Sequence, residues 1–255
     1  DIVKEGDSLV ILAATASDGS RVATRTKFYF GVGAGGEAAS NWIFHALGMI
    51  FYQQVLGLPA GLAGLAFFLA ILADAITDPL IGAISDRFRS KWGRRHPFLF
   101  IAPIPLALFV FLIFHPPAYV VESHTLLFIW LTVFTVLQRA CQTFYVVPHL
   151  AMGAELSADY LERTRIMAFN NLFTLYGGTI IHVIAWFLVF GFIFADQGGQ
   201  LYRPAHTWTA LTVCIIIIVS IFACAFGTKD QIPLLKQNQM NEDRKISIGT
   251  FYADI

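Results

Sequence analysis

Two carboxylates set inside an apolar run are the first residues in this sequence whose chemistry needs an explanation. Asp74 and Asp78 lie four positions apart, so on a helix they share one face, one turn from each other. A carboxylate in a hydrocarbon layer costs about 2.5 to 3.5 kcal/mol on insertion scales, and like charges at this spacing repel. Their oxygens suit a proton or a hard cation, whose charge relieves that repulsion. The competing reading puts one or both near the end of the run, solvated or paired with arginine. Pro79, directly after Asp78, frees the carbonyl one turn back, either as a further oxygen donor or merely as a kink.

Other polar groups fall in apolar surroundings. Glu37 and Asn41 share a helical face, and a carboxylate at Glu37 is costly enough to argue for a role. Asn170 and Asn171 open a later apolar run, where amides also serve as bridges between helices. Beyond Asp78 comes an ordered pattern, Gly82, Asp86, Arg87, Gly93, Arg94 and Arg95. Its glycines permit close approach and a tight turn, while its charges can pair across neighbouring helix ends and break during gating. Glu155, Asp159, Glu162, Arg163 and Arg165 form a second charged stretch, expected as a loop placed to pair with Arg87, Arg94 or Arg95. His45, His149 and His182 lack ligand spacing, which favours hydrogen-bonded helix residues over metal ligands. Cys141, Cys214 and Cys224 are odd in number and sit in apolar runs, as small buried hydrophobes do. No metal site is expected, and no nucleophile and base stand at catalytic spacing, so an enzyme is not expected either.

These groups need helices that cross a membrane to hold them. Of 255 residues, 56% are hydrophobic and only 13% charged, whereas a soluble domain carries about 25% charged residues. Net charge is zero, which gives no reason to expect nucleic acid as a partner. Six apolar segments are expected at 28–51, 61–84, 98–114, 125–147, 169–194 and 208–227, each long enough to cross a core of about 30 Å. Gly31 and Gly35 suit close helix packing on the first. All Lys and Arg except Arg139 and Arg203 fall in the tail or in alternate connections, which makes both ends of this segment cytoplasmic. The expected organisation is a cytoplasmic tail at 1–27, a six-helix bundle at 28–227, and a cytoplasmic linker with the start of a second half at 228–255. Because the sequence opens on Asp1 and stops in that polar stretch, it is expected to be a fragment of a longer membrane protein.

The order DAITDPLIGAISDRFRSKWGRRHPF at 74–98, followed by VVPHLAMGAELSADYLERTR at 146–165, resembles the glycoside-pentoside-hexuronide:cation symporters of the major facilitator superfamily. The resemblance implies an all-α twelve-helix transporter of the cell (inner) membrane, built of two six-helix bundles, of which this chain supplies the first. In the melibiose-transporting members, two aspartates of helix 2 and a threonine of helix 4 hold the cation. Those positions match Asp74, Asp78 and Thr143 here. The sugar ligands of the same members, an aspartate in helix 1, an aspartate and a tryptophan in helix 4 and an arginine in helix 5, correspond to Ala38, Val146, Leu150 and Asn171. The cation half therefore matches and the sugar half does not.

The resemblance implies a cation-coupled carrier of a small polar solute, with Na+ or H+ as the coupling ion and no other cofactor. Asp74, Asp78 and Thr143 would hold the cation, and Glu37, Asn41, Arg139 and Asn171 would line the solute site. Asp86, Arg87, Arg94, Arg95, Glu155 and Arg163 would gate. Its partners are the solute, membrane lipid and the second six-helix half. Apolar replacements at Ala38, Val146 and Leu150 also suit a lysolipid or other amphiphile as cargo, and a transport-inactive membrane partner or sensor is the alternative from another class. Arg139 lies one turn before Thr143 on the same face, where the resemblance puts a small residue. Its guanidinium is either a tethered cation for the Asp74 and Asp78 region or a ligand for an anionic solute group.

Overall fold

Apolar runs of this length satisfy their backbone polar groups in lipid only by coiling into helices. The computed structural model describes residues 21–237, and among these there are helices and no strand. Helix α1 runs Thr24–Trp42 and continues through two π-turns, Ile43–Leu47 and Phe51–Val55. Helix α2 is Ala60–Arg87, α3 is His96–Ile113, α4 is His124–Glu155, α5 is Tyr160–Ile193 and α6 is Arg203–Gly227. Pro79 and Pro148 lie inside α2 and α4, which run on past them.

Five of these helices, α2 to α6, are long and apolar enough to cross a membrane by length and composition. The six expected crossings are thus reduced to five on that criterion. The segment left out, α1, is rich in Gly, Ala and Ser and carries Glu37 and Asn41. Small residues lower its hydropathy, yet they are what lets it sit deep in the fold: Phe30, Ala34, Ala38, Ala39 and Ser40 are all buried.

α1 packs against α5 and α6, α4 packs against α2 and α3, and α3 meets α6. Exchanging α1 with α4, α2 with α5 and α3 with α6 maps this set of contacts onto itself, so the packing repeats in two three-helix units. At the α1–α5 contact, a Cβ added to Gly177 would stand 2.8 Å from Gly35 Cα, so the absence of side chains is what permits the approach. Gly35 thus packs as its spacing with Gly31 suggests.

Several boundaries differ from expectation, each because a helix outlasts its apolar run. α1 begins before residue 28 and buries Thr26 and Lys27, which shortens the tail set at 1–27. α4 continues to Glu155, and α5 starts at Tyr160 behind an Asp159 N-cap whose carboxylate accepts from the backbone of Leu161 and Glu162. This cap satisfies amides that the first turn leaves free, so Glu155, Glu162, Arg163 and Arg165 are helical rather than part of a loop. The start of the stretch assigned as a linker packs onto the bundle, with Leu235 buried and Lys236 Nζ donating to the Lys91 carbonyl at 2.6 Å. Residues 1–20 and 238–255, and the expectations that fall on them, lie outside the described residues.

Candidate functional site

The site is built by two helices in register. Asp78 Oδ1 accepts from Thr143 Oγ1 at 2.8 Å, and one turn earlier Asp74 Oδ2 accepts from Arg139 Nε and Nη2 at 2.9 and 2.6 Å. One turn further on, a methyl placed on Gly82 would meet Val147 Cγ1 at 3.9 Å. The constant sequence offset means that α2 and α4 run parallel, with i, i+4 faces matched rung by rung.

Helix α1 closes the cluster. Asn41 Oδ1 accepts from Arg139 Nη1 at 2.9 Å, and the Phe44 ring lies 5.4 Å from Arg139 Cζ, a cation–π distance. The Asp74 and Arg139 side chains are only 13% and 19% exposed, whereas Asp78 is exposed. Asp74 Oδ1 is buried and lacks a hydrogen-bond partner among the described residues. Glu37, one turn before Asn41, is half-buried and within electrostatic range of Arg139. Together these place carboxylates, an amide, a hydroxyl and a guanidinium at one junction of α1, α2 and α4. Such an array can hold a small cation or a proton, or donate to and accept from the hydroxyls of a polar solute.

Of the expected solute residues, Asn171 does not join. It is exposed on α5, and its neighbour Asn170 is the buried one. Val146 is half-buried and Leu150 exposed. Two of the three expected helix histidines find hydrogen-bond partners: His149 Nε2 lies 3.0 Å from the Phe30 carbonyl, and His182 Nδ1 accepts from Trp42 Nε1 at 3.1 Å, while the exposed His45 packs edge-on to Phe44.

Beside the cluster stands a buried polar triangle that the sequence did not bring to notice. Ser40 Oγ donates to Gln142 Oε1, and Gln138 Nε2 donates to both Ser40 Oγ and Gln142 Oε1, all at 2.9 Å. Two glutamines one turn apart inside an apolar run were the available signal, because buried amides in such surroundings need partners.

A second polar centre lies at the end of the bundle that carries the loop between α2 and α3. Arg95, 4% exposed, donates from Nη1 to Ser85 Oγ at 2.8 Å and from Nη2 to Asp86 Oδ1 at 2.6 Å. The same residue reaches Glu155 Oε1 from Nε and Nη2 at 2.9 and 2.7 Å. Arg94 adds an ion pair to Glu155 at 2.8 Å. The loop can turn so tightly because Gly93 sits at φ +78°, a conformation that favours glycine. Asp86, Arg94, Arg95 and Glu155 therefore come together as expected, while Arg87 and Arg163 stand exposed outside the cluster.

Another ion pair at this end has no counterpart among the expectations. Lys27 Nζ donates to Glu162 Oε1 at 2.7 Å, and the Glu162 side chain is fully buried. Glu162 is expected, as part of the second charged stretch, to pair with Arg87, Arg94 or Arg95; the packing of α1 against α5 gives it Lys27 instead.

Comparison with known proteins adds what the geometry alone does not name. Residues 29–251 match the family described as MFS/sugar transport protein. An uncharacterized symporter of Synechocystis sp. is 36% identical over 196 residues, covering 76% of this chain and 35% of that protein. An inner membrane symporter of Escherichia coli is 27% identical, covering 77% of this chain and 42% of its own length. The isoprimeverose transporter of Lactiplantibacillus pentosus is 27% identical, with 75% and 39% covered. The chain spans less than half the length of each of these relatives. With a family match over nearly all of its sequence, on an all-helical membrane fold, this chain belongs to the MFS/sugar transport protein family.

Proposed function

We propose that this chain forms the first six-helix bundle of a twelve-helix secondary carrier, which moves a small polar solute of the sugar or glycoside class together with Na+ or H+. The observation that carries this reading is the pair of parallel rungs, Asp74 with Arg139 and Asp78 with Thr143. Carboxylates on an apolar helix are costly to retain without a function. Three further facts support it: the family match, relatives named as symporters and as an isoprimeverose transporter, and matches that cover only 35 to 42% of those relatives' length. The Lys and Arg bias supports a cytoplasmic position for the ends of this segment.

In this mechanism α1 counts as a sixth crossing, and the site lies near the midplane, facing the second bundle across which alternating access occurs. A cation on the exposed Asp78 carboxylate and a solute beside Asn41 and Glu37 would share one electrostatic environment. Each then raises the affinity for the other by the same factor, a coupling free energy of about 1 to 3 kcal/mol.

The test is Asp78→Asn in the full-length carrier, reconstituted in vesicles. Gradient-driven accumulation of solute is expected to fall to the equilibrium level while solute exchange without a gradient persists. Undiminished accumulation against a gradient would remove Asp78 from the coupling site.

A further inference from the structure

We propose that the Arg139 guanidinium is a built-in counter-cation for Asp74, so that Asp74 is an anchor rather than an ion ligand and the site does not bind Na+. The inference rests on the carrier reading above and sharpens its coupling ion. It starts from how completely Arg139 is held. All three of its nitrogens are engaged, Nε and Nη2 with Asp74 Oδ2 and Nη1 with Asn41 Oδ1, and Phe44 lies near the guanidinium. With three of its five N–H donors used within the protein and its charge paired with Asp74, this guanidinium has little left to offer an anionic solute group. That geometry decides between the two roles its position leaves open in the sequence.

The charge balance comes from the same contacts. Asp74, Asp78 and Arg139 carry one net negative charge between them, and the exposed carboxylate, Asp78, is the one not in the ion pair. Na+ seeks several oxygens at once, and a position that used both carboxylates would lie a few ångströms from the guanidinium. At about 5 Å and an effective dielectric of about 20, that repulsion weakens binding on the order of 100-fold. Asp74 Oδ1, buried and unpartnered among the described residues, shows that the carboxylate keeps spare acceptor capacity. Removing the guanidinium would therefore return both Asp74 oxygens to the site.

The experiment reads Na+ binding directly, by thermal unfolding of the purified full-length protein in NaCl against choline chloride at equal ionic strength. The wild type is expected to melt within about 1 °C in the two salts. Arg139→Gln, which removes the charge, is expected to gain about 3 °C or more in NaCl, the shift that ligand binding to the folded state produces. Arg139→Lys keeps the charge and should remain flat, as should Asp74→Asn combined with Arg139→Gln, which lacks the freed carboxylate. A wild type stabilised by NaCl overturns the proposal, and so does a folded Arg139→Gln protein that ignores it. If Arg139→Gln does not fold, wild type and Arg139→Lys still decide: both flat supports the proposal, and a Na+ shift in either refutes it. Because binding rather than uptake is measured, failure of solute transport would sink the carrier reading without touching this result. A Na+-stabilised wild type would do the reverse.

Discussion

Replacing Lys27 by alanine isolates the least solvent-exposed carboxylate among the described ion pairs. Glu162 is fully buried, and its carboxylate accepts from Lys27 Nζ at 2.7 Å, from the Val22 amide at 3.1 Å and from Arg165 Nη1 at 3.2 Å. Lys27→Ala leaves that carboxylate with one backbone amide and an arginine that is 56% exposed. Breaking one side of a buried pair costs about 3 to 5 kcal/mol, because the remaining charge stays desolvated. Arg165 is too solvated to replace much of the loss, so the expected cost is about 3 kcal/mol. At roughly 2 to 4 °C per kcal/mol for a chain of this size, Tm should drop by about 6 to 12 °C. The assay is thermal unfolding of the purified protein in detergent, followed by tryptophan fluorescence. The double variant Lys27→Met with Glu162→Met should recover most of the loss, since well-packed apolar residues can stand in for a buried pair. A Lys27→Ala protein within about 1 °C of wild type would refute the reasoning, and so would a double variant no more stable than the single.

Two other substitutions test the packing that holds the site. Gly177→Ala places a Cβ 2.8 Å from Gly35 Cα and 2.9 Å from Gly35 O, and separating α1 from α5 to admit it should cost about 1 to 3 kcal/mol in denaturant unfolding. Gly178→Ala, with open space at its Cβ, is the control and should be neutral or slightly stabilising; equal effects at the two glycines would discount the close approach. Gln142→Leu removes the amide oxygen to which Ser40 and Gln138 both donate, and leaving those donors without it should cost about 1 to 3 kcal/mol. A loss under about 0.5 kcal/mol, measured the same way, would mean that water takes over the vacated bonds.

Sequence served well where the physics is one-dimensional and poorly where it depends on rotation. Asp74 and Asp78 stand out because a charge in an apolar run is conspicuous without any partner being known. The partner of each depends on the parallel register of α2 and α4, which no local pattern encodes, so the sequence alone leaves Arg139 ambiguous. Asn170 and Asn171 differ by one residue, about 100° around a helix, and only packing decides which of them is buried. Lys27 reads as a charge at the edge of a tail, because hydropathy marks where apolar residues begin and not where a helix begins. The same error shortens α4 and α5, whose polar ends are stabilised by a cap and by ion pairs rather than by lipid. Gln138 and Gln142 are legible but easily overlooked, since an uncharged amide makes a weaker mark in an apolar run than a carboxylate does.

The ion pairs at the end bearing the α2–α3 loop bear on how such a bundle moves. Arg95 binds Ser85 and Asp86 of α2 to Glu155 of α4, while Lys27 of α1 binds Glu162 of α5, so every one of these contacts is internal to the bundle. A latch that opens in each cycle needs partners that separate, and rocking one bundle against another separates nothing inside either. Glu155 accepts from two arginines and Arg95 is almost wholly buried; breaking such a pair costs several kcal/mol. That arrangement favours a rivet over a latch for Arg95 and Glu155. Of the six residues expected to gate, Asp86, whose side chain is 62% exposed despite its bond to Arg95, and the exposed Arg87 and Arg163 are the ones with a surface to offer. Those three therefore present charge at the surface, while the buried pairs fix the helix ends that carry them.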